Sequence, residues 1–350
     1  MSYISPALSR NKSFCLDRIE RALMKRRAND GMNLKKTLQY VFTLVVVTVA
    51  VYFFYLQFKN NADILSAYHF IIKPYYLLIS FVLGSAALLC GPIVWHLFVN
   101  NYLDKRLNFA EGFSLYCASA MFKYIPGKIW TYAAQIALMS SKGISKVVLI
   151  YINMVGFICL FFDAALLFVY YYFFYMKQAT FGLSVVALSF LLLADIVFIV
   201  WSNSILNYLI IHIRRVFKVD LQPINTKRSI FIYAQVIYFF AFIIFGLAFY
   251  FLGLGINIEI PFSNIIAVVA SIIMSVIIGL IAFFSIGGLG VREGTMFFLL
   301  KQFASIEAAV ILPIVGRLLI ITAELILLMM AVIIGVKFGY FNKIKQQNII

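Results

Sequence analysis

Long apolar runs alternate with short polar breaks along this chain. The runs occupy approximately 37–58, 74–98, 147–175, 180–201, 230–252, 263–284 and 317–338. Each matches the roughly 20 residues that an α-helix needs to cross a ~30 Å hydrocarbon core. A membrane β-barrel would instead read as short segments of strict alternation. Two further regions, 107–140 and 285–315, are apolar but interrupted by glycine, proline and charge. Each fits a short span, an interfacial helix or a re-entrant hairpin. The pattern predicts an all-α fold, a polytopic transmembrane helix bundle with two Pro/Gly-broken or re-entrant segments.

Composition agrees with this and narrows the class. Of 350 residues, 64% are hydrophobic and 12% charged, whereas a soluble domain carries about a quarter charged residues. The net charge of +16 does not point to nucleic acid, because nine basic residues fall within the first 36 positions, from Arg10 and Lys12 to Lys35 and Lys36. A basic cluster just before a first span marks a cytoplasmic, anionic-lipid-facing terminus. Further basic residues lie at Lys105 and Arg106, at Arg214, Arg215, Lys218, Lys227 and Arg228, and at Lys337, Lys343 and Lys345, while 59–73 and 253–262 are poor in them. The positive-inside rule then places both termini in the cytoplasm and predicts an even number of crossings, about eight. The expected organisation is a basic cytoplasmic segment over 1–36, an integral membrane domain over 37–340 and a cytoplasmic tail over 341–350. The basic region is too long for a cleavable signal, and the apolar run after it is a full span. The expected location is the cell inner (cytoplasmic) membrane.

Cys15, Cys90, Cys117 and Cys159 are not closely paired, and His69, His96 and His212 are scattered. Neither set has the spacing of a metal site or a disulfide framework. No metal and no cofactor is expected, and no ATP-binding motif is present.

Three constellations carry chemical information. The first is "FKYIPGKIW", Phe122 to Trp130. Pro126 removes a backbone donor and Gly127 permits dihedrals closed to other residues, so a helix should break there. Broken backbone at membrane depth is tolerated only inside protein or beside an aqueous cavity. Lys123 and Lys128 would then offer cations next to helix ends that themselves attract anions. An interfacial loop, with snorkelling lysines and Trp130 anchored among headgroups, fits the same pattern. The second is "SIGGLGVREG", Ser285 to Gly294, in which Gly287, Gly288 and Gly290 precede Arg292 and Glu293. A glycine-rich turn that opens a helix can cradle phosphate, although a packing turn uses the same residues. The third is Arg317 with Glu324, seven residues apart and so nearly on one helical face. A charge at the bilayer centre costs on the order of 3 kcal/mol, so each should face protein, water or a partner. Asp163 and Asp195 are single intramembrane acids for which structural and transport roles both stand. The two broken segments occupy comparable places in the two halves, which raises the expectation of inverted repeats around a substrate site.

"KYIPGKIW", followed by "GGLGVRE" and then by an arginine and a glutamate in the last span, resembles the lysylphosphatidylglycerol synthase transmembrane-region family. The likeness covers most of 37–340 in layout. One position departs: Ile286 stands where the family commonly has proline before the paired glycines. The resemblance implies a relative of the flippase portion of bifunctional aminoacyl-phosphatidylglycerol enzymes, without their cytoplasmic aminoacyltransferase domain. By that similarity, Lys123, Pro126, Gly127, Lys128 and Trp130, with Gly287, Gly288, Gly290, Arg292 and Glu293, are the expected substrate-binding residues, joined by Arg317 and Glu324.

The resulting expectation is a lipid translocase for an anionic phospholipid or a polyprenyl-phosphate-linked lipid in envelope biogenesis, with membrane lipids as partners and no catalytic residue assigned. Two alternatives stay open. One is a membrane-embedded glycosyl or phospho-group transferase, although no DxD or HExxH occurs. The other is an accessory subunit bound to envelope-synthesis enzymes.

Overall fold

The computed structural model describes residues 52, 55, 56, 59, 62–68, 71–125, 129–139, 142–172, 181–217, 225–258, 260–282, 288 and 290–340. Most of the expected first span, the basic segment 1–36 and the tail 341–350 lie outside these residues. Among them there are helices and no strand: α1 (Ala62–Ala67), α2 (Pro74–Asn100), α3 (Phe109–Ala120), α4 (Ile129–Met139), α5 (Lys146–Tyr170), α6 (Phe181–Phe217), α7 (Arg228–Gly255), α8 (Ile265–Ile281), α9 (Val291–Leu300) and α10 (Ile306–Lys337). A 3₁₀ turn, Met121–Tyr124, extends α3, and another, Phe262–Asn264, precedes α8.

Local chemistry sets several starts. Pro74 occupies the first turn of α2, where its missing N–H costs nothing. Asn108, Ser145 and Ser305 each accept a backbone N–H from the residue three positions on, capping α3, α5 and α10. The cap at Ser305 corrects one expectation. The last span begins at Ile306 rather than near 317 and carries Pro313 within it, so the last third of the ambiguous region 285–315 belongs to a long helix. The span expected over 180–201 likewise continues to Phe217.

Among the described residues, six helices, 74–100, 146–170, 185–205, 228–255, 262–281 and 306–337, are long and apolar enough to cross a membrane. Contacts at their ends give the chain direction. Lys73 N–H donates to the Gly255 carbonyl at 2.8 Å, and Asn101 Nδ2 donates to the Asn225 carbonyl at 3.0 Å. Helices α2 and α7 are therefore antiparallel neighbours. At the Asn101 end, Thr226 Oγ1 bonds the hydroxyls of Tyr102 and Tyr151, and Asn203 Nδ2 reaches the Thr226 carbonyl at 2.8 Å. This knot ties α2, α5, α6 and α7, and burial in it pushes the Tyr102 phenol up. Tyr340, just past α10, donates to Asn108 at the same end.

Both broken segments fold back on themselves. Glu111, in the first turn of α3, pairs with Lys142, just beyond α4. A chain that leaves and returns at one end is a re-entrant hairpin, with Met121–Tyr124 at its tip. Asn264, before α8, donates to the Phe303 carbonyl, beyond α9, at 3.3 Å. The second hairpin thus starts and finishes at the opposite end. The order long helix, hairpin, long helix occurs as α2–α3/α4–α5 and again as α7–α8/α9–α10, offset by about 160 residues and reversed in direction.

Helix α8 is the most enclosed of the six, with 56% of its apolar window buried against 11% for α6. Its seat on α7 depends on Gly246, where an added Cβ would come 2.2 Å from Val269 Cγ2 and 2.8 Å from its backbone Cα. Backbone cannot yield as a side chain can. Gly246→Ala should therefore destabilise the bundle by about 1–3 kcal/mol. Gly294→Ala, with no atom within 4 Å of its Cβ position, should leave stability unchanged or higher by up to about 1 kcal/mol. Thermal unfolding of the two variants in detergent compares them directly.

Candidate functional site at the hairpin tips

The two tips meet beside the middle of α10. From the first hairpin, Lys123 Nζ contacts Glu324 Oε1 at 2.5 Å, and the Tyr124 hydroxyl donates to Glu324 Oε2 at 2.6 Å. Both oxygens of one carboxylate are thereby held by adjacent residues of the 3₁₀ turn. Glu324 lies about 20 Å along α10 from its C-terminal end, deep in the apolar window. The Tyr124 ring also faces Arg317, whose guanidinium carbon is 6.0 Å from the ring centroid.

The second hairpin supplies Arg292 and Glu293 at the start of α9. Glu293 Oε2 accepts the N–H of Gly290, the residue before the helix, at 2.7 Å, and Oε1 lies 3.8 Å from Arg317 Nε. One carboxylate thus caps its own helix and neutralises a cation on α10. Gly290 and Gly288 adopt φ of 79° and 82°, the left-handed region open mainly to glycine. Gly288 has a second role. A Cβ there would stand 2.7 Å from Arg292 Nε, and one at Gly279 of α8 would stand 2.3 Å from Arg292 Cγ. The arginine is threaded between two glycines.

Among the described residues, five charged side chains converge here, Lys123, Arg292 and Arg317 against Glu293 and Glu324, which leaves one positive charge in excess. The excess falls on Arg292. No ion pair joins it to a described carboxylate, and its Nε is buried with no hydrogen-bond partner. A small cavity opens between Arg292, Glu293 and Arg317, walled by Phe249, Ile272 and Pro313. A second one, between α9 and α10, reaches Glu293 from the other side along Phe297 and Val310. The arrangement can take an oxyanion: three cations gather beside the first turn of α9.

Of the twelve residues expected to form the site, Lys123, Arg292, Glu293, Arg317 and Glu324 come together, and Gly288 and Gly290 shape the turn beneath them. Trp130 begins α4 and is 36% exposed at the bundle surface. Pro126, Gly127, Lys128 and Gly287 lie outside the described residues. Arg317 and Glu324 share a helix face but take separate partners, because two turns of rise, about 10 Å, is beyond pairing distance. Tyr124 and Gly279 were missed. Tyr124 stands inside the quoted motif and could have been flagged as a hydroxyl beside a lysine, whereas nothing near Gly279 in sequence signals Arg292.

Removing Glu324 strands two donors at once. Glu324→Ala should lower stability by about 1–3 kcal/mol. Lys123→Ala/Glu324→Ala should lose less than the sum of the single variants, with a coupling of about 0.5–3 kcal/mol in a double-mutant cycle.

No curated protein matches the chain. Residues 40–333 match the family described as "Lysylphosphatidylglycerol synthase TM region", a match that includes both hairpins and most of α10. With that match over its helices, the chain is a multi-pass integral membrane protein and belongs to the lysylphosphatidylglycerol synthase transmembrane-region family.

Proposed function

We propose that this protein is a lipid translocase that carries an anionic, phosphate-bearing lipid between leaflets, an anionic phospholipid or a polyprenyl-phosphate-linked lipid of envelope biogenesis. One observation carries the reading: three cations meet two carboxylates at the tips of hairpins that come from opposite ends of the bundle. A headgroup phosphate supplies the missing negative charge. In the empty state Glu324 holds Lys123 and Glu293 holds Arg317, which limits the cost of buried charge. An arriving phosphate competes with those carboxylates, bonds Arg292 first, and loosens one tip from α10. Because each hairpin faces its own end, loosening one or the other would open the site to one side at a time. Acyl chains would stay in the bilayer while only the headgroup enters.

Sidedness follows in the same reading. Lys105, Arg106, Lys142, Lys146, Lys227, Arg228 and Lys337 collect at the end where the first hairpin begins, whereas Lys73 and Lys301 stand at the other. That distribution supports a cytoplasmic face at the first end, where α10 also finishes; cytoplasmic termini and residence in the inner membrane complete the proposal.

The test is lipid movement in proteoliposomes carrying fluorescent phosphatidylglycerol, read with a membrane-impermeant quencher. The wild type should move the probe well above the rate of empty liposomes. Arg292→Ala should slow it by about 10- to 100-fold, as expected for loss of a charged hydrogen bond. Lys301→Ala, exposed at the far end, should stay within about twofold. Movement no faster than in empty liposomes sinks the reading.

A further inference from the structure

A second polar cluster lies away from the hairpin tips, among α5, α6 and α7. Asp163 of α5 is 3% exposed, and among the described residues its Oδ2 has no hydrogen-bond partner. Gln235 of α7 is 7% exposed; its Nε2 donates to Oδ1 of Asp195 on α6 at 2.5 Å, while its Oε1 is buried and without a donor. Counting along each helix from the Thr226 knot, Asp195, Gln235 and Asp163 lie about 12, 14 and 18 Å deep, which is inside the hydrocarbon region.

Among the described residues, no ion pair joins a cation to either acid. The charged group that acts on Asp163 is Asp195, itself an acid. The other titratable groups around the cluster are weak acids: Cys159, one turn earlier on α5; Tyr238 of α7, in range of Asp163, Cys159 and Cys90; and Cys90 of α2. Helix α8 carries no titratable side chain, and α4 carries only Tyr132. An ionised carboxylate held here with no counter-charge is expensive, and neutralisation is the ordinary escape.

The unmet groups are complementary. A proton on Asp163 Oδ2 creates an O–H donor, and Gln235 Oε1 is an acceptor lacking one. Gln235 is already bonded to Asp195, the more accessible acid, and α5, which carries Asp163, packs against both of their helices. The proton comes from hydronium in the adjoining water: its O–H bond breaks as the Asp163 O–H bond forms, a neutral water is left behind, and the charge at Asp163 falls from one negative to none.

We propose that Asp163, with Gln235 and Asp195, forms a proton-binding site whose occupancy couples the transmembrane proton gradient to movement of the lipid. The coupling rests on the translocase reading; the binding of the proton does not. Protonation removes the repulsion between Asp163 and Asp195 and fastens α5 to α7. Helix α5 follows the first hairpin directly, so a change in its packing bears on the tip that holds Lys123.

Two measurements test this. Infrared spectra of the purified protein in lipid nanodiscs should contain a protonated carboxylic acid band at neutral pH that disappears in Asp163→Asn, an isosteric change whose folding is checked by thermal unfolding. Absence of the band, or its survival in the variant, overturns the site. Thermal stabilisation by Na⁺ that Asp163→Asn abolishes also overturns it, in favour of a metal ion. In proteoliposomes, an imposed pH difference should accelerate phosphatidylglycerol movement by up to about tenfold per unit, and Asp163→Asn should lose that response. A wild type equally fast with and without the gradient overturns the coupling and leaves the translocase reading intact. A wild type that moves no lipid overturns both, whatever the infrared band shows.

Discussion

Charge placed at the middle of a bilayer must be answered inside the protein, and the architecture around the hairpin tips follows from that constraint. Water is not available there to solvate an ammonium or a carboxylate, and open backbone groups are equally costly. Glu324 can sit deep in α10 because Lys123 and Tyr124 occupy both its oxygens. Lys123 and Tyr124 can be there because the first hairpin breaks at that depth. Glu293 answers Arg317 and also the exposed N–H of Gly290. Loss of one carboxylate would thus undo a turn, an ion pair or both.

The long helices serve as the frame for this meeting. Helices α2 and α7 lie antiparallel and bring two similarly built halves together with opposite direction. Hairpins that enter from opposite ends can touch only at their tips, so the irregular backbone of both is confined to one depth. Small residues make the approach possible. Gly246 admits α8 against α7, and Gly279 and Gly288 leave a slot for Arg292. The enclosure of α8 places its hairpin in the interior of the bundle, where a break in the helix is shielded from lipid.

Much of this was legible in the residues. Four long runs matched helices closely, and the two interrupted regions stood out because glycine, proline and charge are rare within apolar stretches. Glu324 was conspicuous for the same reason. Partner choice was not legible. Arg317 and Glu324 share a face, which suggests a pair, yet they are too far apart along the axis to touch, and their partners arrive from 201 residues away at Lys123 and from a separate hairpin at Glu293. Tyr124 and Gly279 passed unnoticed because their importance lies wholly in such distant contacts. The last span was expected from 317, whereas Ser305 caps α10 twelve residues earlier and the helix runs on through Pro313.

By itself, the sequence determined that the chain is an α-helical membrane protein, where its helices break, and which charges are too costly to be idle. Those properties depend on local composition: the length of an apolar run, the dihedral limits of proline and glycine, and the solvation cost of an ion. Only the tertiary structure decided that both breaks are hairpin tips, that they come from opposite ends, and that three cations face two carboxylates there. These outcomes depend on contacts between residues far apart in sequence, which no periodicity within a single helix records.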